Sequence, residues 1–87
     1  MEMVEKRPAR IWWRKHRSAE NRLMALALVT ETPLGQFDLF VYQPGPSGTL
    51  RMAEETIEGS PECAQRRADA LVRELLHHEC IDCAGWV

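Results

Sequence analysis

Ser60-Pro61-Glu62 opens the one plainly helical stretch of this 87-residue chain, and that stretch is apolar on one side only. Ser60 can cap, Pro61 suits the first turn, where its missing N–H is not needed, and Glu62 meets the positive end of the helix dipole. Ala64, Ala68, Leu71, Val72, Leu75 and Leu76 then recur at helical spacing, while Glu62 to Arg66 and Asp69 to Arg73 form acid-before-base pairs four apart. A lone single-sided helix must bury its stripe on something else, and the rest of the chain has to supply it. The pattern predicts a helix over residues 60–80, with His77 and His78 near its C-terminus.

The preceding residues read as strands. Gln36 to Tyr42 is rich in aromatic and β-branched residues, with Phe37, Leu39 and Val41 alternating to one side. Thr32-Pro33-Leu34-Gly35 has turn chemistry, so Leu23 to Thr30 becomes the other half of a hairpin. Residues 18–29 contain many helix formers, but alternation of Met24, Leu26 and Leu28 with Ala25, Ala27 and Val29 favours strand. Residues 10–17 form a first strand, with Ile11, Trp13 and Lys15 on one side and Arg10, Trp12, Arg14 and His16 on the other. Gln43 to Gly48 reads as a loop, after which Thr49 to Glu58 returns as a further strand.

The expected fold class is α+β: an antiparallel meander of three or four strands with one C-terminal helix packed on one face. At 10.0 kDa the chain suits a single small domain, divided into an arm over 1–9, strands over 10–58, a helix over 60–80 and a tail over 81–87. The strand-then-helix order resembles in outline the double-stranded-RNA-binding and ribonuclease H-like small domains. One helix covers one face of such a sheet, and the other face still carries apolar side chains. That favours a non-enzymatic protein-binding module, an adaptor or inhibitor, binding another protein or itself as a homodimer. Small acidic α+β chains of this kind look like the accessory proteins of phages and mobile elements. Aromatic residues and Arg dominate interface energetics, so Trp12, Trp13, Arg14, Arg17, Phe40, Tyr42 and Trp86 are the candidate partner-binding residues.

The formal net charge of -2 hides a division. Residues 1–22 hold seven bases against three acids, a net of +4, and residues 23–87 hold four bases against ten acids, a net of -6. The segment Lys6 to Arg22, with Trp12, Trp13 and His16 among its bases, is a candidate nucleic-acid contact. A pI near 5.9 and the lack of an RNP-like aromatic pattern weigh against it.

Three cysteines, Cys63, Cys80 and Cys83, are too few for a disulfide-stapled scaffold and suit a reducing, cytoplasmic setting. His77, His78, Cys80 and Cys83 combine a C-x-x-C pair with two histidines. Cys63 cannot join them, lying about 25 Å away along a continuous helix. A four-ligand zinc site would therefore need His77 or His78 plus a distant residue such as His16, and no metal or cofactor is expected on this pattern alone. A pair that follows a helix also meets the wrong end of the dipole for a reactive thiol. No nucleophile elbow or phosphate-cradling glycine pattern points to an enzyme. No apolar run suits a membrane span, and the start lacks the apolar region of a secretory signal.

Overall fold

The computed structural model describes residues 10–80 and 83–87; the expected arm over 1–9, with Lys6 and Arg7, lies outside them. Four strands, β1 (Ile11–Arg17), β2 (Leu23–Glu31), β3 (Phe37–Gly45) and β4 (Gly48–Ile57), precede one helix, α1 (Pro61–Leu76). The strands pair antiparallel in the order β1-β2-β3-β4, and α1 packs on one face, as the alternation and the helical stripe predict. Residues 23–29 are strand despite their helix formers, because β2 is held between β1 and β3.

The first two connections share one device. In each, the closing backbone bonds are short, 2.9 Å from Ser18 N–H to Arg22 O and 2.8 Å from Thr32 N–H to Gln36 O, and the loop-opening hydroxyl accepts backbone N–H bonds. Each loop also holds one left-handed residue, Asn21 at φ 64° and Gly35 at φ 79°, types that tolerate that conformation.

The third connection differs from the expected loop. Gln43 to Gly45 continue β3, and β4 begins at Gly48, leaving only Pro46 and Ser47 in the turn. β2 stops pairing with β3 at Tyr42, so Pro44 sits where β3 has one neighbour and its missing N–H breaks no ladder.

Ser60 caps α1, its hydroxyl accepting from Cys63 N–H at 3.2 Å. The helix ends at Leu76, four residues short of the expected 80, because His77 turns left-handed at φ 52° and redirects the chain. Ala64, Ala68, Leu71 and Val72 are buried, while Leu75, in the stripe by its period, is exposed and Leu76 packs on the core instead.

The core lies between α1 and the helix-facing rows Ala25, Ala27, Val29 and Phe37, Leu39, Val41. Alanines on both β2 and α1 let the two backbones approach closely. Ion pairs clamp the helix toward both edges of the sheet: Arg67 reaches Glu55 on β4 through two hydrogen bonds of 2.9 Å, and Asp69 reaches Arg14 on β1 at 3.0 Å. Bidentate geometry of the first kind fixes orientation as well as distance.

Candidate functional site

α1 rests mainly on β2 and β3, so the inward side chains of β1 meet other cover. Arg14 and His16, paired across the ladder with Ala27 and Ala25, point to the helix side of the sheet. There the Asp69 carboxylate takes both, Arg14 Nη1 on Oδ2 at 3.0 Å and His16 Nε2 on Oδ1 at 3.0 Å. The Trp86 indole N–H donates to the same Oδ2 at 3.3 Å. Burial pushes the Asp69 carboxyl up, but the hydrogen bonds from His16 and Trp86 and the charge of Arg14 outweigh it and hold the group below its ordinary value. Among the described residues His16 is the one buried polar side chain, 2% exposed.

The other nitrogen of His16 faces sulfur. Nδ1 lies 3.2 Å from Cys80 Sγ, and His78 Nε2 lies 3.4 Å from the same sulfur on another side. Cys80 is joined to Cys83 in a disulfide, and the ligand-type atoms of His16, His78, Cys80 and Cys83 all lie within 4.8 Å of one another. Left-handed His77 makes this possible: it stops the helix and sends His78 and Cys80 back toward β1. Cys83 Sγ sits against the backbone of Arg17, 3.2 Å from its N–H, and Arg14 Nε donates to Ala84 O at 3.1 Å. Val87 exchanges both backbone bonds with Trp13, at 3.0 and 3.3 Å, so the tail runs along the outer edge of β1. A cavity of about 180 Å³ opens beside the cluster, lined by Arg14, His16, Asp69, His78 and Cys80 among others.

Three of the four residues that the C-x-x-C pattern singles out therefore meet, and buried His16 joins them. His77 does not; it is exposed at the helix terminus. Cys63 stays apart and free at the other end of α1. Its thiol is held below its ordinary value, chiefly by hydrogen bonding at Ser60. The cysteine count argues against a disulfide framework, and the single bond found closes a three-residue separation rather than stapling distant elements. The residue that sequence spacing missed is Asp69, 53 positions from His16 and marked only by helical period.

The seven aromatic and arginine candidates for partner binding do not share one surface. Trp13, Phe40 and Tyr42 lie on the face opposite α1, with Leu26 and Leu28 between them across the ladder. The Phe40 and Tyr42 rings stack at 6.1 Å, and Trp13 is 42% exposed. Trp12 and Trp86 instead pack against the core, Trp12 with its ring 6.1 Å from Phe37. Arg14 is held in the Asp69 pair, and Arg17 Nη1 donates to Asn21 O at 3.3 Å within its own loop. Of the other bases in the candidate nucleic-acid segment, Arg10 is paired with Glu31 at 2.9 Å and stacks 4.9 Å over Trp12.

No family model, no curated protein and no solved structure matches this chain. Among the described residues no helix is long and apolar enough to cross a membrane.

Proposed function

We propose that this chain is a non-enzymatic protein-binding module acting through the open face of its sheet, with a second copy of the chain as the occupant. The observation behind this reading is the unequal use of the two faces: the row facing α1 is buried, while Leu26, Leu28, Phe40 and Tyr42 on the opposite face have no covering layer among the described residues. Covering them would remove apolar surface from water at roughly 25 cal/mol per Å². Charge favours protein over nucleic acid as the occupant. Lys15 and Arg51 on this face are balanced by Asp38 and Glu54, with Arg51 already 3.2 Å from Glu54. A neutral face attracts no polyanion and does not repel its own copy. An adaptor or inhibitor of the phage or mobile-element kind, working in the cytoplasm, would be built in this way.

Sedimentation equilibrium tests the proposal. The chain is expected to be a dimer, and Leu28→Lys to be a monomer with an unchanged far-ultraviolet circular dichroism spectrum. A wild-type chain that stays monomeric across the accessible concentration range, or a Leu28→Lys variant that still dimerises, overturns it.

A further inference from the structure

We infer that His16, His78, Cys80 and Cys83, with the cysteines reduced, form a zinc site that ties the C-terminal tail to β1. The reasoning starts at His16. A carboxylate only accepts hydrogen bonds, so the proton between His16 and Asp69 belongs to Nε2, and Nδ1 is the nitrogen that faces Cys80 Sγ. A disulfide sulfur carries no proton to offer. His78 Nε2 faces the same sulfur from 3.4 Å. Two imidazole nitrogens thus converge on one sulfur of a C-x-x-C pair, an arrangement in which a single cation could be held by both rings and the sulfurs together.

The donor set fits the metal. Two thiolates and two imidazoles make a closed Cys2His2 set of the borderline-soft kind that tetrahedral zinc prefers. Zn–S near 2.3 Å and Zn–N near 2.0–2.1 Å place neighbouring donors roughly 3.3–3.8 Å apart in a tetrahedron. The two nitrogen–sulfur separations at Cys80, 3.2 and 3.4 Å, lie close to that range, and no pair in the group exceeds 4.8 Å. Opening the S–S bond is the main rearrangement needed. Asp69 supplies what histidine ligands ordinarily have: a carboxylate on the second ring nitrogen that fixes the tautomer and the ring plane. Its fixed place also has a structural use. α1 gives little cover to β1, and the ligands come from β1, the turn after α1 and the tail, so one ion would close the side of the fold that the helix leaves open.

Metal uptake requires the dithiol. A water-soluble phosphine cleaves the S–S bond, takes oxygen from water to become the phosphine oxide, and leaves two thiols; zinc binding then releases their two protons. The experiment compares phosphine-reduced and oxidised protein, dialysed with zinc and then against metal-free buffer, by elemental analysis. Cobalt titration reads the tetrahedral d–d and thiolate charge-transfer bands. Expected are one equivalent of metal per reduced chain and none per oxidised chain. Cys83→Ser and His78→Ala should each lose stoichiometric metal, His77→Ala should retain it, and Asp69→Asn should bind about 10- to 100-fold more weakly. A folded, reduced wild-type chain that takes up no metal overturns the inference without need of any variant. So does a His77→Ala variant that loses metal as fully as His78→Ala, or a cobalt spectrum lacking thiolate charge transfer.

Discussion

The two faces of one sheet show that apolar size does not decide which side becomes the core. Toward α1 the central strands present Ala25, Ala27, Val29, Phe37, Leu39 and Val41, all buried, and the helix answers with Ala64 and Ala68. Away from α1 the same strands present Leu26, Leu28, Phe40 and Tyr42, each only half-buried. Small residues line β2 under the helix, where Ala25 and Ala27 meet Ala64 and Ala68, while Phe37 and Leu39 of β3 fill the space beside them. Leu26, Leu28, Phe40 and Tyr42 are left on the side that no other element among the described residues covers. The covered face is therefore a packing solution, and the open face is an unspent surface.

The widest separation between the faces should appear on truncation of matched leucines. Leu39→Ala empties a fully buried site and should destabilise the chain by about 2–5 kcal/mol, measured by urea unfolding. Leu28→Ala, measured at concentrations low enough to give monomer, should cost less than half as much, since its side chain already meets solvent. Equal costs would break the distinction between the faces. Next in size, Ala68→Leu should cost about 1–3 kcal/mol by driving α1 off the sheet, where an enlargement on the open face meets no second layer among the described residues.

Alternation made both rows of β1 and β2 legible, but not those of β4, whose pairing with β3 shifts register at Val41/Tyr42, and the turn residues at Thr32 to Gly35 set the hairpin between β2 and β3. Which row faces the helix was not legible, because it depends on how closely a helix more than thirty residues away can approach Ala27. Pro44 and Pro46 suggested a loop, but a proline disturbs a ladder only where its N–H is needed, and the end of β3 is flanked by β4 alone. The cysteine pair and His78 stood out by spacing. His16 could be named only as one distant possibility, and Asp69 looked like half of a surface pair with Arg73. His77 and His78 are equivalent by type; a left-handed backbone at His77 separates them, and no local residue preference dictates that.

The covered face depends on α1 being formed, so weakening the start of the helix should sharpen the contrast. Ser60→Ala removes the acceptor for Cys63 N–H and should cost about 1 kcal/mol in chemical unfolding, leaving dimerisation through the open face intact in the folded fraction.

The smallest effect belongs to the clamp between α1 and β4. Hydrogen bonds from Arg67 hold the Glu55 carboxyl below its ordinary value against the opposing effect of burial, with the Arg67 charge adding to them. A carboxyl with a lower pKa in the folded chain than in the unfolded one favours folding when ionised. The stabilisation is complete above the unfolded value near 4.5 and disappears as pH falls through the lowered folded value. Both side chains are partly exposed, so solvent and salt screen the pair and the effect stays small. Urea midpoints of the wild type and Glu55→Gln should therefore differ modestly at neutral pH in favour of the wild type, and converge once the pH falls below the lowered folded-state value of Glu55. A gap that persists in acid would mean that Glu55 supports the covered face by packing instead of by charge, since protonation would then leave its contribution unchanged.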